Sequence, residues 1–399
     1  MRPELCEPDR TVDQTPSTEP VWSALFRDGS ERRSGNGIPR FTFCVPSSKA
    51  LQSLLTTDVY SAATAFIRGE FDVKGDLEAA IRFKGWQPQS SLRNFLLGAI
   101  SRCASALQTG FQTGAQAARN IRFHYDRSNE FYRLFLDPRL VYSCAYFHSP
   151  DKTLEDAQIA KLDHTCRKLD LQPGERFVDI GCGWGALIRY AAAQYGVAAT
   201  GCTLSHAQYA YAVARLDGNA RVLECDYRDL GGRYDKIASV GMFEHVGRRR
   251  AHEYFRKMAD LLAPSGLFLN HAIARAEGVR DDGASLFVRR HIFPGGQLIR
   301  LWEMIRAAED SGFEVLDVEN LRPHYALTCR LWEQRLATNR DAALLLVDEP
   351  TFRTWRIWLA ASALSFEEGF SSIYQVLMNK RGAPRRRLTR EYLYSNPGS

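Results

Sequence analysis

The run Phe177-Val178-Asp179-Ile180-Gly181-Cys182-Gly183-Trp184-Gly185 puts a carboxylate near the end of an apolar strand and three glycines at alternate positions after it. Glycine lets a ligand approach the backbone closely, and amides at the start of a following helix donate to an anion under the positive end of its dipole. Asp179 adds an acceptor for a cation beside them. One anion site and one cation site are thereby paired, as the amino-acid end of a ligand requires.

S-adenosylmethionine carries such an end, with Asp179 receiving its ammonium and the Gly181-Cys182-Gly183 amides its carboxylate. A nicotinamide or flavin enzyme is the competing reading, because Gly181, Gly183 and Ala186 also fit the looser dinucleotide fingerprint. That reading needs an acid at the end of the second strand to hold a ribose, and here the strand ends Gly201-Cys202-Thr203-Leu204-Ser205. The acid two residues before the first glycine also favours the methyltransferase. After the third strand, Asp226-Tyr227 stands where the sheet's carboxyl edge can hold an adenine ring and its amino group.

The elements that must position these residues are legible as alternating strands and helices, which demand right-handed crossovers and a parallel sheet. Strands are expected over 176–180, 198–202, 220–225, 236–240 and 266–272, with helices over 184–195, 206–217 and 249–262. Beyond 320 the alternation weakens, and 331–339 and 351–378 have helical character. Upstream, 41–45 reads as a strand, while 51–67 and 77–83 have helical spacing. The fold class is α/β: a Rossmann-like class I methyltransferase domain with a mainly parallel twisted sheet, plus a smaller N-terminal α+β domain. The expected divisions are a loosely ordered lead-in over 1–37, a small lipid-binding-like domain over 38–115 with a linker near 104–120, and the methyltransferase domain with C-terminal helices over 116–399.

The nine cysteines form no CxxC pair, so neither a metal site nor a disulfide framework is expected. The first thirty residues lack the apolar run of a secretion signal, and no stretch reaches the length of a membrane-spanning helix. A cytoplasmic protein, peripheral on the inner face of the membrane, is the expectation. The net charge of +6 is concentrated at 248–250, 289–290 and 380–390, which makes an anionic membrane surface the expected partner. Nucleic acid is not expected, since no recognition module accompanies the charge. A homodimer is left open.

Further segments carry a resemblance. They are His124-Tyr125-Asp126, Tyr142-Ser143-Cys144-Ala145-Tyr146-Phe147, Thr203-Leu204-Ser205 with Gln208, Gly241-Met242-Phe243-Glu244-His245, Asn270-His271-Ala272-Ile273, Phe293-Pro294-Gly295-Gly296 and His324-Tyr325. Together with the glycine loop, they resemble the cyclopropane-fatty-acyl-phospholipid synthase family, with its mycolic-acid-modifying relatives, over about 120–380. The resemblance implies that Tyr142, Ser143, Gly181, Gly183, Thr203, Leu204, Ser205, Gln208, Tyr227 and Arg228 surround S-adenosylmethionine. It also implies that Cys144, Glu244, His271, Tyr325 and the backbone of Ile273 hold a bicarbonate ion, the family's proposed base. The implied reaction is methylene transfer to the cis double bond of an unsaturated phospholipid acyl chain, giving a cyclopropane ring. Tyr146, Phe147 and Phe243 are candidates for stabilising the carbocation that precedes ring closure.

Taken singly, Cys144 reads as packing and His271 as a core histidine. Three other readings stay open: methylation to a methyl- or methylene-branched chain, a small-molecule N-methyltransferase on the same scaffold, and a non-enzymatic lipid-binding module. Arg127 and Ile299-Arg300 depart from the family pattern and bear on substrate choice.

Overall fold

The computed structural model describes residues 21–83, 128–279, 283–293, 297–384 and 388–394, and the chain divides into two units. The smaller holds the described parts of Met1–Thr56 and Glu70–Trp86. Its strands β1 (Trp22–Phe26), β2 (Glu31–Ser34), β3 (Phe41–Val45) and β4 (Asp72–Gly75) form a sheet in the order β2-β1-β3-β4. Phe41, Phe43 and Val45 alternate inward on β3, as period-two patterning demands.

The stretch 21–34 is a hairpin rather than part of a loose lead-in, with Trp22 opposite Ser34. Its edge strand β2 is polar and exposed at Glu31, Arg32 and Arg33, so composition alone made it look like a loop. The expected single helix over 51–67 is two helices, Ser48–Thr56 and Val59–Ile67, because Asp58 caps the second by accepting from the Ser61 amide at 2.9 Å. The second helix belongs to the larger unit, where Ala63 packs with Phe287 and Ile292. The division therefore interrupts the N-terminal segment, and the expected boundary at residue 115 lies outside the described residues. The expected linker at 104–120 lies outside the described residues.

In the larger unit seven strands run in the order β10-β11-β9-β8-β5-β6-β7. They are β5 (Arg176–Ile180), β6 (Ala198–Thr203), β7 (Ala220–Glu224), β8 (Tyr234–Val240), β9 (Leu262–Arg275), β10 (Phe313–Asn320) and β11 (Ser371–Lys380). Strands β5 to β9 are parallel neighbours, and β11 inserts antiparallel between β9 and β10. The five strands read from sequence are present. The expected helix over 351–378 ends instead at Glu367, where Gly369 turns the chain at φ +81 into β11. Strand β11 is covered on both faces, so its near-continuous apolar run does not announce a strand by alternation.

Helices Leu154–Lys168 and Ala186–Tyr195 bury residues against one part of the sheet, and Ala251–Leu261 and Leu301–Asp310 against another. Among the described residues no helix is long and apolar enough to cross a membrane. One buried charge ties the layers together. Lys236 on β8 is fully buried, and its Nζ donates to the carbonyls of Leu169 and Asp170 at the end of the first of these helices. Lys236→Met should leave both carbonyls without that donor and cost roughly 2–4 kcal/mol, read as a lower urea midpoint at an unchanged m-value.

Candidate active site

The loop after β5 is built by the backbone. The amides of Gly181 and Cys182 both donate to the Cys202 carbonyl, at 3.0 and 2.9 Å, which folds the chain sharply at the strand end and, contrary to expectation, leaves neither as a free donor for a carboxylate. Gly181 has φ +78, and a Cβ there would lie 2.8 Å from the Met242 Cγ. Gly183 has φ +54 but meets nothing within 4 Å, because it faces open space. Gly183 is among the residues that line a cavity along the carboxyl ends of β5, β6 and β8.

Eleven of the twelve residues expected around the cofactor line this cavity: Tyr142, Ser143, Asp179, Gly181, Cys182, Gly183, Thr203, Leu204, Gln208, Tyr227 and Arg228. Ser205 does not. It is buried beneath the wall, where its Oγ accepts from the Gln208 amide and caps the helix His206–Val213. Thr203 donates from Oγ1 to Gln208 Oε1 at 2.8 Å, so the turn is cross-braced. Arg228 is engaged by Asp226 through bonds of 2.9 and 2.5 Å, while the Tyr227 ring backs onto Tyr254.

Sequence reasoning missed Lys161, which also lines the cavity. Its helix, Leu154–Lys168, buries a polar face of Gln158, Lys161, His164, Thr165 and Lys168. Gln158 donates to the carbonyls of Val141 and Ser143, and Lys161 donates to Ser143 Oγ at 3.0 Å, so this helix anchors the segment bearing Tyr142, Ser143 and Cys144. From the other side Thr328 Oγ1 accepts from the Ala145 amide at 3.1 Å. The signal was present as polar residues at helical spacing, though such a face ordinarily points to water. Burial pulls Lys161 down to about 8, opposed by Asp137 and Asp179. The same burial pushes Asp179 up to about 7, with Lys161 pulling the other way, and Asp179 Oδ1 has no hydrogen-bond partner among the described residues.

Beside the cavity the structure gathers a second group. Glu244 follows β8 in a short turn, and its Oε1 accepts from the Ile273 amide on β9 at 2.7 Å. The other oxygen, Oε2, is closed to solvent and unpartnered among the described residues, and burial pushes the carboxyl up to about 7 against the Ile273 amide. His271, also on β9, accepts at Nδ1 from Gln375 of β11 at 3.2 Å. Its buried Nε2 therefore carries the proton and has no partner among the described residues, and burial holds the ring neutral by lowering it to about 3. Tyr325, on the helix Arg322–Thr338, packs in the same apolar cluster as Cys144, and burial raises it well above the usual phenol value, with smaller contributions from groups that include Cys144 and Glu244. The Ile273 N–H is occupied by Glu244, so it holds the carboxylate rather than offering a free donor.

Cys144 is fully buried, and its thiol donates to the Ala145 and Leu321 carbonyls at 3.2 and 3.8 Å. Burial raises it far above the usual thiol value, so it is no nucleophile. The aromatics expected to face a cation are used elsewhere. Tyr146 is stacked between His164 and His324, with centroids 4.2 and 4.8 Å away, Phe147 stacks on His324, and Phe243 packs on Tyr254 and Phe255. Aromatic surface in the cluster that holds Cys144 comes instead from Tyr325, whose ring lies 4.5 Å from that of Phe366 and 6.0 Å from that of Trp332. His124, Tyr125, Asp126 and Pro294 to Gly296 lie outside the described residues.

The family model for mycolic acid cyclopropane synthetase matches residues 112–376. A probable fatty acid methyltransferase of Pseudomonas putida is 38% identical over 353 residues, covering 86% of this chain and 88% of its own. Cyclopropane mycolic acid synthase 3 of Mycobacterium tuberculosis is 37% identical over 65% of this chain and 96% of its own. The crystal structure of mycolic acid cyclopropane synthase CmaA1 complexed with SAH and CTAB superposes with a TM-score of 0.63 at 36% identity, covering 66% of this chain and 98% of that one.

Proposed function

The chain belongs to the mycolic acid cyclopropane synthetase family, and from that premise we propose that it transfers a methylene group from S-adenosylmethionine to the cis double bond of an unsaturated phospholipid acyl chain. The observation that carries the reading is a pair of buried atoms, Glu244 Oε2 and His271 Nε2, that are unpartnered among the described residues and lie beside a glycine-walled cavity.

The residues present fit the cofactor. Gly183 leaves the cavity wall open, and Asp179 offers an unpaired carboxylate oxygen to an ammonium group. When bound, S-adenosylmethionine supplies a methyl group made electrophilic by its sulfonium. The residues of the second group also fit bicarbonate, because that ion needs both donors and an acceptor. His271 Nε2–H and the Tyr325 hydroxyl would donate to its oxygens, and Glu244 Oε2 would accept a hydrogen bond from its O–H. When bound there, bicarbonate supplies a proton acceptor.

An alkene that takes up the methyl carbon leaves a carbocation on the acyl chain, and loss of a proton closes the ring. Glu244 opposes that positive charge in a site where burial strengthens electrostatics. Its orientation is fixed by the Ile273 amide. Neutral His271 stabilises the proton acceptor without adding a competing cation. Tyr325, backed by Phe366, contributes an aromatic face worth about 0.5–2 kcal/mol to a desolvated cation.

Incubation with isotopically labelled cofactor and unsaturated phospholipid vesicles, followed by mass analysis of the acyl chains, tests the reading. A gain of one carbon and two hydrogens is expected, and unchanged chains would refute it. The Pseudomonas putida relative is named a fatty acid methyltransferase, which favours a second product: a methyl or methylene branch that keeps its alkene. NMR of the product separates ring from branch.

The lipid is reached at an anionic membrane surface. Arg249 is exposed on the turn after Glu244, whereas Arg289 is buried and takes no part. Each Arg near such a surface contributes roughly 1 kcal/mol. The protein should float with anionic vesicles at low salt and be released at about 0.5 M salt, where screening is short-ranged. Failure to float at low salt removes the docking.

A further inference from the structure

The cavity holds a cation that the family reading leaves without a task. Lys161 is 3% exposed and lines the cavity, and Ser143 Oγ takes one of its three ammonium protons at 3.0 Å. Asp179, also 3% exposed, stands near the end of β5 with Oδ1 unpartnered among the described residues. No direct ion pair joins the two among the described residues, so each faces the cavity with hydrogen-bonding capacity unspent. Buried charges without partners are strongly disfavoured. A single ligand group satisfies both at once if it carries an anion and a cation about one carbon apart, as an amino acid does.

We propose that Lys161 binds the α-carboxylate of the cofactor while Asp179 takes its α-ammonium. This rests on the S-adenosylmethionine reading and gives the carboxylate a charged partner, which it needs because the Gly181 and Cys182 amides expected to receive it already donate to the Cys202 carbonyl. The consequence is positional. Lys161 is bonded to Ser143, whose neighbour Cys144 belongs to the second group, and its charge is felt at both Cys144 and His271. Holding the amino-acid end there would anchor one end of the cofactor at the segment that bears Ser143 and Cys144, with Tyr227 in the same cavity available to the adenine end.

Calorimetry on the whole protein tests this with S-adenosylhomocysteine, its decarboxylated analogue and 5′-methylthioadenosine. In the wild type, removing the carboxylate should weaken binding roughly 30-fold, and Lys161→Met should weaken S-adenosylhomocysteine by a similar factor while leaving the other two ligands within about threefold. Equal weakening of all three by Lys161→Met would reveal a structural role and overturn the proposal. So would a wild type indifferent to the carboxylate, a result that stands even if the variant does not fold. Wild type that binds S-adenosylhomocysteine but ignores its carboxylate sinks only this assignment, whereas wild type that binds none of the three removes the cofactor reading as well.

Discussion

Glu244→Gln is expected to lower kcat by about a thousandfold or more while leaving S-adenosylhomocysteine affinity within about twofold. Glutamine keeps the shape and can still accept the 2.7 Å bond from the Ile273 amide. It loses the negative charge and replaces the second acceptor oxygen, the one left unpartnered at Oε2. Because Glu244 does not line the cofactor cavity, calorimetry should register almost nothing while turnover disappears. Equal loss of binding and turnover would instead make Glu244 a scaffold residue.

The same residue sets a pH dependence. Burial raises Glu244 to about 7, so the carboxyl is neutral below that pH, and kcat should fall as pH drops through about 7. Asp179 is raised to a similar value, but in the complex the cofactor's ammonium holds it ionised. Protonation of Asp179 therefore appears in kcat/KM for the cofactor, and that of Glu244 in both parameters. Stability runs the other way. A carboxyl raised from 4.5 to about 7 favours the fold most when protonated, at low pH, and this contribution is lost as pH rises through that interval. Glu244→Gln should flatten that part of the stability profile.

The cofactor loop was legible because its signal is local: an apolar strand, an acid and glycines at fixed offsets specify the backbone without reference to distant chain. The second group was legible only through resemblance, since Cys144, Glu244, His271 and Tyr325 arrive from four separate segments. What escaped was set by tertiary context. Lys161 belongs to a helix whose buried face is polar because Ser143, the Val141 and Ser143 carbonyls and Glu319 meet it there. Nothing in the helix itself separates that face from a solvated one. Tyr146 looked available for a cation until His164 and His324 covered both faces of its ring. Strand β11 was hidden for a related reason: a strand buried on both faces loses the alternation that identifies it.

Gly183→Val should abolish cofactor binding, by more than about a hundredfold, without a comparable loss of fold. Two effects are superposed in that substitution. A β-branched residue at φ +54 is strained, at a cost of about 1–3 kcal/mol. Its side chain also enters space that has no protein atom within 4 Å, where the ligand is to lie. Gly174→Val separates them, because Gly174 has φ +81 with nothing within 4 Å but is not among the residues lining the cavity. The two variants should lose similar thermal stability, and only Gly183→Val should lose affinity for S-adenosylhomocysteine. If both variants bind as the wild type does, the open wall at Gly183 is not where the cofactor rests, and Asp179 and Lys161 must answer to a different ligand.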